Sequence, residues 1–240
     1  MLTTETIHHR KFVSEIARIS GVLAVVESLA KRKADFRTAS SVLKNDQEAF
    51  ESNRWPHVSD SRLSTVVETI KVGNINDSET LKISQRYNAD LTLVYGTSIL
   101  SRLTIDALSF TLLNLHGGDP RSYRGLDSHL WALYHSDWSG LRACLHHVEP
   151  SIDTGDLVQI RDLDLDADSK IEQLRALTTE LSVEMAVKAI KDFKEFNHVP
   201  KTKQLSIGRY YSQMPAVLVP KCRTNLAKLL NERRIGSTRR

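Results

Sequence analysis

Apolar residues along this chain fall in short blocks separated by longer stretches with helical spacing. Gly21-Val-Leu-Ala-Val-Val26 is one block, Ala89-Asp-Leu-Thr-Leu-Val-Tyr-Gly96 a second, and Leu112-Leu-Asn-Leu-His116 a third. Near-continuous apolar runs of this length predict strands covered on both faces, as in a parallel sheet. Phe12, Ile16 and Ile19 form a stripe ahead of the first block. Leu81, Ile83 and Tyr87 form another ahead of the second, after the turn-rich Gly73-Asn-Ile-Asn-Asp-Ser78. Helix alternating with strand predicts an α/β fold with a doubly wound, mainly parallel sheet. The longest helix expected spans 169–195, where Ile171, Leu174, Leu181, Met185, Ile190 and Phe193 recur near helical spacing and Ser169 with Glu172 has the capping-box arrangement. The polar, weakly patterned residues 31–60 predict a helix with flanking loops.

A sheet of this kind normally opens on a buried strand, yet only Met1 and Leu2 precede the polar Thr3-Thr4-Glu5-Thr6. The expectation is a shortened first strand. Residues 1–198 then form the main unit, and 199–240 a C-terminal extension in which 223–234 form a short helix.

Composition narrows the class. With 240 residues, 40% of them hydrophobic, the chain can bury a real core and is not a disordered segment. No apolar run approaches the ~20 residues of a membrane-spanning helix. The N-terminus lacks the basic-then-apolar pattern of a secretory signal. Cys144 and Cys222 show no paired spacing and read as reduced thiols, so a cytoplasmic location is expected. The formal charge of +4 belongs to one end: residues 221–240 carry seven Lys and Arg against the single Glu232, which leaves the rest weakly acidic. Such a tail reads as a solvated end more readily than as a nucleic-acid or membrane contact. The motifs that would mark a P-loop, a nicotinamide site or a zinc hydrolase are missing, so no metal is expected.

The chemistry is concentrated between Leu113 and Val158. Asn114 and His116 are two apart in a strand and leave it on one face. Gly117 and Gly118 follow and allow close approach of backbone or ligand. Asp153, in Ser151-Ile-Asp-Thr-Gly155, lies between two apolar segments, 141–148 and 157–160. Open α/β sheets bind ligands at the carboxyl ends of their strands, where these residues would sit. His146 and His147 alternate across a strand, so one faces inward. An amide, an imidazole and a carboxylate gathered this way suit acyl transfer to an amine.

At these residues the chain resembles the folate-dependent formyltransferases, and among them the branch acting on nucleotide-linked amino sugars. The resemblance rests on Asn114-Leu-His116-Gly117-Gly118, on Asp153-Thr154-Gly155, and on Tyr123-Arg124-Gly125, which is similar to the family's aromatic-x-Gly loop. It also rests on Val94-Tyr-Gly96-Thr97-Ser98-Ile99-Leu100, similar to a segment that helps hold the folate, and on His146, where the family often has a histidine. It covers roughly 80–165 well. The chain departs from the family where Gly117-Gly118 replaces a frequent Pro-Ser and where the phosphate loop of the purine-pathway enzyme is missing.

The resemblance implies N10-formyltetrahydrofolate as donor and a small-molecule amine as acceptor, with Asn114, His116 and Asp153 catalytic. Gly96–Leu100, Thr154 and Gly155 would hold the donor, and Gly117, Gly118, Tyr123, Arg124 and Gly125 the acceptor. Arg124 would meet a phosphate or serve only as a surface arginine. Tyr210-Tyr211 would stack on a base or pack the C-terminal segment. Homodimerisation and a place in polysaccharide biosynthesis are further expectations. A hydrolase releasing formate, and a binding-only relative, are the alternatives.

Overall fold

The computed structural model describes residues 1–28, 34–108 and 111–237, without the side chains of residue 84 and of 233–237. Residues 31–33, at the start of the stretch expected to hold a helix with flanking loops, and the last basic residues, 239 and 240, therefore lie outside the described residues. The described residues form nine strands: β1 Leu2–Thr3, β2 Leu23–Glu27, β3 Glu68–Val72, β4 Leu91–Tyr95, β5 Thr111–His116, β6 Tyr123–Gly125, β7 Arg142–His147, β8 Leu157–Asp162 and β9 Arg209–Tyr211. Among the described residues eight α-helices accompany them: α1 Ile7–Ala17, α2 Ala39–Arg54, α3 Pro56–Ser59, α4 Ser78–Tyr87, α5 Arg102–Ala107, α6 Ser128–Tyr134, α7 Leu174–Phe196 and α8 Val219–Ser237.

Seven strands make one sheet in the order β3-β2-β1-β4-β5-β7-β8. The first five in that order run parallel, and β7 and β8 are antiparallel additions at one edge. The three apolar blocks are β2, β4 and β5, and Leu93 and Leu113 at their centres are fully buried. The first strand is a two-residue stub, held between β2 and β4 by the pairings Thr3↔Val26 and Thr3↔Tyr95. The strand order reverses there, because β1 has β2 on one side and β4 on the other. Such a reversal opens a crevice at the carboxyl edge.

Helix α1 buries Phe12, Val13 and Ile16 and packs along α7. The long helix is capped one residue later than expected. The Lys170 backbone N–H donates to the Gln173 side chain at 3.0 Å, whereas Ser169 Oγ accepts from the Asp166 N–H instead. A 3-10 turn, Ile171–Gln173, then leads into α7. The basic C-terminal stretch forms α8, longer than the short helix expected. Its Cys222, Leu226 and Leu230 join the main core, and Arg223 pairs with Glu172. Residues from 199 onward also return to the carboxyl edge. Leu157 and Thr202 exchange backbone hydrogen bonds, Gly208 N–H donates to the Pro120 carbonyl, and β9 pairs in parallel with β6 as a small second sheet.

Candidate active site

Asn114 and His116 end β5 beside β4, with Val94 level with Asn114. On the other side β7 runs antiparallel, in a register that sets His146 directly opposite Asn114 and Cys144 opposite His116. That register decides which of the two adjacent histidines faces inward. His146 is 2% exposed and sits against the amide of Asn114.

The hairpin between β7 and β8 delivers Asp153 to the same point. Its backbone is left-handed, at φ 53°, a conformation that aspartate tolerates better than most residues. Gly155 is needed two residues on, because a Cβ there would strike the His147 carbonyl. Thr154 Oγ1 closes the turn by donating to the Ser151 carbonyl at 3.0 Å. The turn thereby aims the Asp153 carboxylate inward, where it is 8% exposed.

Four groups converge on that carboxylate. Oδ2 accepts the Gly125 N–H at 2.8 Å and lies 3.4 Å from His116 Nδ1. Oδ1 accepts from Asn114 Nδ2 at 3.4 Å and lies 3.3 Å from His146 Nε2. Burial alone would raise this carboxyl. The neighbouring His116, the His146 hydrogen bond and the Gly125 N–H outweigh burial and bring it down to about 2.

Ring orientations follow from the outer contacts. His116 Nε2 donates to the Tyr123 carbonyl at 2.8 Å, which turns Nδ1 toward Asp153. His146 Nδ1 donates to the His147 carbonyl at 2.7 Å, which turns Nε2 toward Asn114 Nδ2 at 3.2 Å. Asn114 thus holds its amide nitrogen within the cluster. The arrangement joins an amide donor, an imidazole and an ionised carboxylate on the carboxyl edge of the sheet, where developing oxyanion charge can be met and an amine proton moved. Among the described residues no group of three or more His, Cys, Asp or Glu is placed to hold a metal ion. No helix of the described residues is long and apolar enough to cross a membrane.

The other sequence-predicted residues surround this centre. A Cβ at Gly118 would come within 2.7 Å of Ser128 Cβ and 3.0 Å of His116 Nε2, so this glycine lets the loop close over the imidazole, while Gly117 precedes it above His129. Tyr123-Arg124-Gly125 is a short strand, β6, and not a loop. Gly125 adopts φ +90° and passes so close to the Tyr211 carbonyl that a side chain would collide. Arg124 donates from Nε to the Gly208 carbonyl at 2.7 Å and from Nη1 to the Ile152 carbonyl at 3.0 Å, which ties the Asp153 hairpin to the C-terminal segment. Gly96 opens the loop after β4 at φ +75°, with the His9 ring packed where a side chain would be. In the same loop Thr97 and Ser98 are half-buried, Leu100 is buried, and Ile99 is 47% exposed.

Two features were not legible in the sequence. Gln204, from the extension, donates to the Asp153 carbonyl at 3.2 Å. Beyond Tyr123 lies an aromatic cup of about 340 Å³, lined by Trp131, Tyr134, His135, Arg209, Tyr210 and Tyr211. Tyr211 stacks on Tyr123 at 5.5 Å between ring centres, and the Arg209 guanidinium lies 5.4 Å over the Tyr211 ring. Tyr210-Tyr211 hinted at the cup, but the partner aromatic residues lie some 75 positions away and only folding unites them.

Comparison with known proteins identifies the family. Residues 17–190 match the formyl transferase family model. The methionyl-tRNA formyltransferase of Finegoldia magna is 29% identical over 133 residues, covering 54% of this chain and 42% of that protein. The chain therefore spans less than half the length of that relative. Among solved structures, WlaRD, a sugar 3N-formyl transferase determined with dTDP and 5-N-formyl-THF, superposes with a TM-score of 0.59 at 14% identity, over 88% of this chain and 68% of that one. Glycinamide ribonucleotide transformylase 1 from Symbiobacterium toebii gives 0.56 at 17% identity, over 87% and 92%. These structural likenesses show the mainly parallel formyltransferase fold. The family match spans well over half the sequence, and it includes the strand that carries Asn114 and His116 and the hairpin that carries Asp153: the chain belongs to the formyl transferase family.

Proposed function

We propose that this protein moves a formyl group from N10-formyltetrahydrofolate to the primary amine of a nucleotide-linked amino sugar. The observation that carries the reading is the convergence of Asn114, His116 and His146 on the ionised, buried Asp153. Asn114 exchanges its long 3.4 Å contact with Asp153 for the formyl oxygen and turns that N–H toward it. His116 meets the negative charge that grows there as the amine attacks. One donor aimed at such an oxyanion is worth about 3–4 kcal/mol. Asp153 orients His116 and takes the proton that the amine gives up.

The donor would lie along Gly96–Leu100 and the Thr154-Gly155 turn. Ile99 offers an exposed apolar side chain for a flat ring, and the loop emerges beside the end of β5. The sugar reading draws on WlaRD, which was determined with dTDP, and on the aromatic cup. The exposed Tyr210 ring lining the cup suits a nucleobase, and Arg209 supplies positive charge for a diphosphate. Tyr123 links cup and centre, since its carbonyl holds His116 and its ring stacks on Tyr211.

The test is a formylation assay with N10-formyltetrahydrofolate and a panel of UDP-, GDP- and dTDP-linked amino sugars, glycinamide ribonucleotide and methionyl-tRNA. Mass spectrometry would find a formylated nucleotide-sugar that disappears with His116→Ala. Formylation of methionyl-tRNA alone would overturn the sugar acceptor and keep the transferase. Release of formate with no acceptor modified would replace transfer by hydrolysis.

A further inference from the structure

Glu27 closes β2 at the carboxyl edge and is 4% exposed, outside the catalytic cluster. A buried carboxylate is costly unless its oxygens are satisfied. Here each oxygen takes one backbone N–H from a different loop. Oε1 accepts from Ile75 at 2.9 Å, in the turn after β3, and Oε2 accepts from Ser98 at 2.7 Å, in the loop after β4. Between β2 and β4 stands only β1, which ends at Thr3, level with Val26 and Tyr95. The Glu27 side chain therefore bridges the gap beyond the end of the shortest strand in the sheet.

Asn76, from the turn that Glu27 anchors, holds the far end of the same loop. Its Nδ2 donates to the Ile99 carbonyl at 2.9 Å, and its Oδ1 accepts from the Ser101 N–H at 2.7 Å and from Thr104 Oγ1 at 2.9 Å. The segment 98–101 is thus fixed from outside, by one charged and one neutral side chain reaching across from the β2–β3 side. This hold does not depend on any of the four groups around Asp153.

We infer that Glu27 is a positioning residue for the formyl donor: through the Ser98 N–H it sets the height of the Gly96–Leu100 loop against the end of β5. The inference rests on the reading that this loop holds the folate. A ring recognised by a loop's backbone needs that backbone in place to within about half an ångström. Glu27→Gln keeps the shape but replaces one acceptor oxygen by an NH₂ group that must face an N–H, so either Ile75 or Ser98 is released.

The experiment measures binding of 5-formyltetrahydrofolate by calorimetry, together with steady-state kinetics in which donor and acceptor are varied separately. Glu27→Gln should raise the folate Kd and the donor KM by about tenfold, the effect of one lost hydrogen bond to a charged group. At saturating donor, kcat and the acceptor KM should stay within about twofold of wild type, which a general loosening of the fold would not allow. Asn76→Ala should shift folate binding the same way, and it decides the matter if Glu27→Gln does not fold. An unchanged folate Kd in these variants, or a matching rise in the acceptor KM, would overturn the inference. Wild-type protein that binds no folate would instead overturn the donor-loop reading itself.

Discussion

Replacing Asp153 by asparagine tests the centre of the site, because it keeps the shape and removes one acceptor and the charge. In the folded chain Oδ2 faces the Gly125 N–H and His116, and Oδ1 faces the Asn114 amide and His146. The NH₂ group of an asparagine must then point either at the Gly125 N–H or at the Asn114 nitrogen, and both are donors. One contact is lost in either case, and His116 loses the carboxylate charge beside its Nδ1. Loss of a positioned proton acceptor lowers turnover by roughly 10²–10⁴-fold. Stability changes as well, and with a definite sign. The Asp153 carboxyl is brought from 3.8 to about 2, so its ionised form contributes about 2 kcal/mol at neutral pH. A depressed carboxyl contributes fully above its unfolded value and loses that contribution as pH falls from near 4 through about 2. Urea unfolding at about pH 6 and about pH 3 should therefore show wild type losing about 1 kcal/mol more than Asp153→Asn over that interval. Identical pH slopes for the two proteins, or turnover within about tenfold of wild type, would refute the assignment.

Two further outcomes follow from the same geometry. Asn114→Ala should lower kcat by about 10²–10³-fold in the formylation assay while leaving folate Kd near wild type, because in the proposed role the amide meets charge that appears only during reaction. Gly125→Ala forces a side chain into φ +90° against the Tyr211 carbonyl and should cost at least about 1–3 kcal/mol in urea unfolding.

Much of this was legible in the sequence, for identifiable reasons. Asn114 and His116 could be paired because strand geometry puts alternate residues on one face, and β2, β4 and β5 could be found because buried strands are almost wholly apolar. The β3 segment, Glu68–Val72, escaped notice because an edge strand is half polar, and among the described residues its sheet neighbour is β2 alone. His146 could not be told from His147 until the β5–β7 register set one of them against Asn114. Helix α8 was expected but too short, because Cys222, Leu226 and Leu230, spaced four apart, lie among basic residues that dominate a count of charge. The capping residue moved from Ser169 to Lys170 because Ser169 found a competing local partner in Asp166. The pairing of β6 with β9 spans more than eighty residues and leaves no local trace.

That last pairing sets when the site can exist. Gly125, whose N–H holds Asp153, is fixed in register by Tyr211, and the Asp153 carbonyl waits for Gln204. A chain still being synthesised can have folded its parallel sheet, with Asn114 and His116 in place, and yet have no closed centre until residues 204–211 arrive. These closing contacts also join residues far apart in sequence, 51 positions for Asp153 and Gln204, and such contacts form slowly because a long loop must close first. Catalytic competence would therefore appear after the bulk of the fold, as a separate and later event during synthesis or refolding.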